Sequence, residues 1–246
     1  MTGSSDEGRR ATIRPMVPLT FAHRGGLDGG SPENSLGAFS DALARGCDLE
    51  TDLRLSSDGQ VMLVHDAVTW ARGPAWVALM PARVLRWLGL STLEDLYREL
   101  GSDFHLSADL KVLAAVRPAL EVARSAGAVS RLWLVSEQRP ALAAIRREDP
   151  TVRLVHETRH AYLAVRGLSP PDHLARLAAD GVNAANTTVR DWSTSLVECA
   201  HHLGLAAFGS LLQDQPAMER AVELGLDGFY SDHLSTMRAV VAGLAS

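Results

Sequence analysis

Short apolar runs of strand character alternate with longer stretches of helical period from about residue 19 onward. Strands are expected at 20–25 (TFAHRG), 48–53 (DLETDL), 104–110 (FHLSADL), 131–136 (RLWLVS), 153–157 (RLVHE), 182–186 (VNAAN), 205–210 (LAAFGS) and 228–232 (GFYSD). Between them lie amphipathic stretches such as LGAFSDALARG, PDHLARLAADG and AMERAVELG, several ending on a glycine suited to a helix C-terminus. A last helix, LSTMRAVVAGLA, follows the eighth strand. Alternation of this kind marks parallel βαβ units. Eight such units in one α/β chain match a (β/α)8 TIM barrel, which needs about 250 residues; an open doubly wound sheet is the alternative. The segment 67–90 (AVTWARGPAWVALMPARVLRWLGL) fits neither template and reads as an inserted lobe after a hairpin on the second strand. It holds three of the five tryptophans, Trp70, Trp76 and Trp87, which suggests a packed lobe able to wall a pocket. Residues 1–18 are expected to be a disordered tail and 19–246 a single domain.

Composition supports a packed globular chain, with 46% hydrophobic and 22% charged residues. The formal net charge of −5 argues against a protein that covers nucleic acid phosphates, and offers no electrostatic help at an anionic membrane. No run of about 18 apolar residues occurs, so no transmembrane segment is expected. Cys47 and Cys199 lie far apart in a sequence without secretory features and read as small apolar residues in a reducing compartment, pointing to a cytoplasmic protein. No G-x-G-x-x-G opens a helix, which leaves dinucleotide binding without support. The cations are lopsided: 23 arginines stand against one lysine, Lys111.

Candidate chemistry collects at the carboxyl ends of the early strands, where barrel enzymes keep their active sites. His23, Arg24 and Gly25 close the first strand, Glu50 and Asp52 share one face of the second, and Asp109 and Lys111 share one face of the third. Asp58-Gly59 reads as a two-residue hairpin turn, which would set His65 directly across from Asp52. Taken singly, a histidine at a strand end or a row of acids is more often structural. Their joint placement shifts the balance toward a site, whereas His105, His156, His160, His173, His201 and His202 show no such partners. Glu50, Asp52 and Asp109 offer oxygen ligands suited to a hard cation, Mg²⁺ or Ca²⁺, rather than zinc. With Arg24 and Lys111 beside it, such a cation would make an anion site suited to phosphate.

These motifs, HRG (23–25), PENS (32–35), LETDLRLSSDG (49–59) and VHD (64–66), resemble the glycerophosphodiester phosphodiesterase family. SADLK (107–111) is similar to that family's E-x-K motif with Asp109 in place of glutamate, and GLDGFYSD (225–232) resembles its ending. The resemblance runs from about residue 20 to 233. It implies a TIM barrel that hydrolyses phosphodiesters with a bound divalent cation held by Glu50, Asp52 and Asp109. By the same match His23 and His65 would be the acid–base pair, Arg24 and Lys111 would hold the phosphate, and Glu33 and Asn34 would lie at the edge of the site. Where the family carries a tryptophan wall, this chain has FGSLLQD, which would make Phe208 the substrate wall. The expected substrate is a small glycerophosphodiester. A lysophospholipase-D or sphingomyelinase-D-like lipid activity is the near alternative, and a non-catalytic barrel that binds a phosphorylated ligand the distant one.

Overall fold

The computed structural model describes residues 17–70 and 72–244; residues 1–16 of the tail expected over 1–18 lie outside them. Eight parallel strands form the barrel: β1 (Leu19–Ala22), β2 (Asp48–Leu55), β3 (Leu106–Leu110), β4 (Leu132–Ser136), β5 (Arg153–Glu157), β6 (Ala184–Thr188), β7 (Ala206–Ser210) and β8 (Gly228–Ser231). Each pairs in parallel with the next, and β1 closes the ring by pairing with both β8 and β2. Both faces of such strands are buried, which is why they read as nearly continuous apolar runs. Alternate residues fill two cores. Phe21, Trp133, Val155, Ala184, Ala206, Phe208 and Tyr230 pack inside the barrel, while Ala185, Ala207 and Phe229 join the layer under the helices.

Local signals place the helices as the sequence indicates. The Ser35 hydroxyl accepts the Ala38 N–H at the start of helix Leu36–Ala44, and Asp214 accepts the Ala217 N–H at the start of Gln215–Glu223. Most strand boundaries shift by one to three residues, and three departures from expectation bear on the site. The first strand stops at Ala22, because His23–Gly25 turns as a short 3-10 segment with Arg24 at φ 52°. Gly25 follows at φ 89°, and a Cβ there would come within 2.6 Å of the Ala38 Cβ, so only glycine lets helix Leu36–Ala44 pack this close. The sixth strand begins at Ala184 rather than 182.

The third departure is the hairpin. Leu53 faces Leu63 and Leu55 faces Val61, so the turn has three residues, Ser57 to Gly59, with Gly59 at φ 79°. Val64 therefore lies across from Asp52, its N–H donating to the Asp52 carbonyl at 2.9 Å, and His65 is shifted off the expected position. The turn is held from outside: Asp58 Oδ1 accepts the Ala82 N–H at 2.9 Å, and the Ser57 N–H donates to the Met80 carbonyl.

Residues 67–90 carry a hairpin (Val68–Thr69 with Ala75–Trp76) and a helix (Ala82–Trp87), seated as a lobe on the arm Val61–Leu63. Its own small core is Met62, Val64, Val77, Ala82 and Leu85. The expectation of packed tryptophans fails: Trp70, Trp76 and Trp87 are 71%, 58% and 65% exposed, and aliphatic residues do the packing.

Helix Leu93–Leu100, which follows the lobe, starts on a reciprocal cap between Thr92 and Asp95. Burial alone would raise the Asp95 pKa, but hydrogen bonds from Arg86, Thr92 and Arg98 outweigh it and hold the carboxyl well below the usual range. The carboxylate thus stabilises the fold above its unfolded value near 4, and loses that contribution as pH falls below it. Asp95→Ala should lower unfolding free energy by about 2 kcal/mol at pH 7, with the deficit shrinking below about pH 4, as read by urea denaturation at both pH values.

Candidate active site

Inside the barrel the apolar floor gives way, toward the carboxyl ends of the strands, to polar side chains on the same inward faces. Two residues on from Val155 is Glu157, from Ala184 Asn186, and from Tyr230 Asp232. Glu50 and Asp52 of β2 face inward beside Ser107 and Asp109 of β3, each directly paired in register. Beneath them the Tyr230 hydroxyl meets the Ser107 hydroxyl at 2.9 Å.

Asp52 is the most enclosed of the acids that pair with a cation here, its side chain 3% exposed. Its Oδ1 lies 3.1 Å from Lys111 Nζ, and its Oδ2 accepts from Asn34 Nδ2 at 3.1 Å and lies 3.4 Å from Arg24 Nε. Lys111 also donates to Asp109 at 2.6 Å. Arg24 reaches outward to Glu33 at 3.1 Å, and its backbone N–H donates to Glu50 at 2.7 Å. Burial, then the Asp52 charge, raises the proton affinity of Glu50 well above the ordinary carboxylate range. Burial, then the charge of Asp109, also raises the Glu157 pKa.

His23 Nδ1 pairs with Asp232 Oδ1 at 2.7 Å. Burial alone would lower the His23 pKa, but the Asp232 hydrogen bond and the charges of Glu50 and Asp232 raise it overall. Gln213 clamps Asp232, its Nε2 donating to Oδ2 and its Oε1 accepting the Asp232 N–H. His65 pairs through Nδ1 with Asp66 at 2.8 Å, and its carbonyl accepts from Arg54. Each imidazole is thus held at Nδ1, which leaves Nε2 for proton exchange.

The expected residues sort accordingly. Arg24, Glu50, Asp52, Asp109 and Lys111 come together, with His23 on Asp232 beside them and Glu33 at the exposed edge. Asn34 is buried beneath the site, accepting from the Thr51 hydroxyl at 2.6 Å while it donates to Asp52, so it positions a carboxylate. Phe208 is not a wall: it is fully buried within the barrel against Phe21, Trp133 and Tyr230, because it lies two residues below the end of β7. His105 and His201 do have partners, Trp133 and Asp227, both structural.

Asp232, Gln213, Glu157 and Tyr230 escaped the sequence reading. Asp232 carried a signal, its inward phase two residues after Tyr230. Gln213 carried none. Among the described residues, non-glycine positions with positive φ are Arg24, Asn34 and Leu211; the first two belong to the site and the third leads into Gln213.

The donor chemistry of Glu50, Asp52 and Asp109 fits a hard divalent cation, and such a cation would offset both the burial and the neighbouring acid charges that raise Glu50. Among the described residues no three ligand side chains stand close enough to grip an ion as they are. Lys111 instead links Asp52 and Asp109, so a cation held by all three acids would compete with its ammonium for them.

Residues 23–96 match the Glycerophosphoryl diester phosphodiesterase family. The chain is 26% identical over 241 residues to "Probable glycerophosphodiester phosphodiesterase 2" of Mycobacterium tuberculosis, spanning 91% of this chain and 90% of that protein. It is 23% identical over 245 residues to the glycerophosphodiester phosphodiesterase of Caldanaerobacter subterraneus subsp. tengcongensis, spanning 90% and 97%. An Oleispira antarctica phosphodiesterase, solved in complex with the product sn-glycerol-3-phosphate, shares the fold with a TM-score of 0.75 at 20% identity, covering 92% of this chain and 97% of its own.

The His23–Asp232 pair makes a direct prediction. In an NMR titration the His23 imidazole should titrate above the ordinary histidine value, and Asp232→Asn should bring it down. An unchanged titration would show that Asp232 does not set its charge.

Proposed function

We propose that this chain, a member of the glycerophosphodiester phosphodiesterase family, hydrolyses glycerophosphodiesters to an alcohol and glycerol 3-phosphate. The observation that carries the reading is one constellation: Arg24 and Lys111 bound at the carboxylate ring, with the His23–Asp232 pair beside them and the His65–Asp66 pair following on the hairpin arm.

Arg24 and Lys111 would hold the phosphate, the guanidinium by its fork and the ammonium as a compact charge. A divalent cation, Mg²⁺ or Ca²⁺, on Glu50, Asp52 and Asp109 would supply Lewis-acid stabilisation of the charge gathering on phosphorus oxygens. One histidine takes the proton of the attacking oxygen and the other protonates the leaving alkoxide. Asp232 favours the imidazolium form of His23, which suits it to the acid role and leaves His65 as the base. Asn34 and the Arg24 N–H keep Asp52 and Glu50 in place throughout.

A lipid phosphodiesterase of lysophospholipase-D or sphingomyelinase-D type is the second reading, favoured by the exposed tryptophans of the 67–90 lobe at the same end of the barrel. A purely binding role accounts less well for two separate His–Asp pairs.

The test is release of glycerol 3-phosphate from glycerophosphocholine in the presence of Mg²⁺ or Ca²⁺. His23→Ala and His65→Ala should each lower kcat/KM by roughly 10²–10⁴-fold. Near-full turnover in either variant would remove that histidine from the chemistry.

A further inference from the structure

The 67–90 lobe presents an unusual outer face. In its hairpin Thr69 pairs with Ala75, and both are buried; Val68 pairs with Trp76 on the opposite face. Trp70 follows Val68 by two residues, so strand alternation directs it to the outer side with Trp76. Leu79, 70% exposed, and Trp87 add further apolar surface on the same lobe. Large apolar side chains are usually the first to be buried, and several exposed on one small, well-anchored lobe mark an interaction surface.

The charge of the lobe identifies the partner. Residues 67–90 contain Arg72, Arg83 and Arg86 and no aspartate or glutamate, within a chain whose net charge is −5. Arg86 is committed to Asp95, but the Arg72 guanidinium lies 4.5 Å over the Trp87 ring, and Arg83 stands exposed on the same helix. Tryptophan with arginine is the pairing suited to a lipid interface, the rings entering the headgroup boundary and the guanidinium groups meeting anionic headgroups. The lobe is held rigidly by the Met62, Val64, Val77, Ala82 and Leu85 cluster and by the Asp58 and Met80 contacts to the hairpin turn. That hairpin rises from the carboxyl end of β2, so the face stands at the end of the barrel that carries the site.

From this we propose that the 67–90 lobe docks the protein on an anionic phospholipid surface through Trp70, Trp76, Leu79 and Trp87, with Arg72 and Arg83 meeting the headgroups. The whole-chain charge, which points away from anionic membranes, conceals a basic aromatic insert. Docking in this orientation would turn the barrel mouth toward the lipid, where diesters with an acyl chain reside.

The test is sedimentation of the full chain with vesicles of phosphatidylcholine alone and of phosphatidylcholine mixed with phosphatidylglycerol. The mixed vesicles should carry the protein down at lower lipid concentration, and added salt should weaken the binding. The triple variant Trp70→Ser/Trp76→Ser/Trp87→Ser and the pair Arg72→Glu/Arg83→Glu should each raise the lipid needed for half-binding by about tenfold or more, with unchanged circular dichroism. Failure of the wild type to bind mixed vesicles overturns the proposal, as does binding that both variants retain. Concentration-dependent self-association in size exclusion that the tryptophan variant abolishes, without vesicle binding, would instead assign the face to a second copy. None of these readouts depends on diester hydrolysis, so docking and the proposed reaction succeed or fail separately.

Discussion

The site is organised by a buried negative charge. The Asp52 carboxylate is almost wholly withdrawn from water inside the barrel, and a carboxylate in that position is costly unless donors surround it. Its donors come from three separate segments: Lys111 just past the end of β3, Arg24 in the turn after β1, and Asn34 in the loop before helix Leu36–Ala44. Two of those residues adopt left-handed backbone to arrive there, and Asn34 N–H bonds to the Arg24 carbonyl at 2.8 Å, which ties the two turns together. One carboxylate therefore links β1, β2, β3 and the first helix at the mouth of the barrel.

Around this charge the acids outnumber the cations. Glu50 and Glu157 are both driven toward their protonated forms by burial and neighbouring acids, while Arg24 and Lys111 are the cations paired with Asp52. With both cations already paired to carboxylates, the ring offers an anionic phosphodiester little free positive charge. That is the physical case for a divalent cation, and it gives the lone lysine a distinct place. A compact ammonium can bridge Asp52 and Asp109, which a wide guanidinium in the same space would do poorly.

Much of this was legible because barrel strands and inward phase follow from periodicity. Glu50 with Asp52, and Asp109 with Lys111, were fixed as pairs by spacing two along a strand. What the sequence withheld depends on distant contacts. His23 meets Asp232, 209 positions away, only after the barrel closes. The hairpin register shifted by one because Asp58 is bonded to Ala82 and Ser57 to Met80, contacts that lengthen the turn and that no local rule for Asp-Gly includes. Phe208 looked like a wall by alignment to a motif, yet its depth on β7 places it in the barrel floor. The lobe was found by its failure to fit a pattern, but the exposure of Trp70 and Trp76 depends on the Thr69–Ala75 face of the hairpin being the buried one.

We propose that the Asp52 ring takes a divalent cation in exchange for a Lys111 contact. Diffraction from crystals grown with Mn²⁺ as a surrogate tests it most directly. The expected result is an anomalous peak bounded by the carboxylates of Glu50, Asp52 and Asp109, with Lys111 Nζ withdrawn from Asp109. Absence of any peak there, with Lys111 still bridging Asp52 and Asp109, would contradict it.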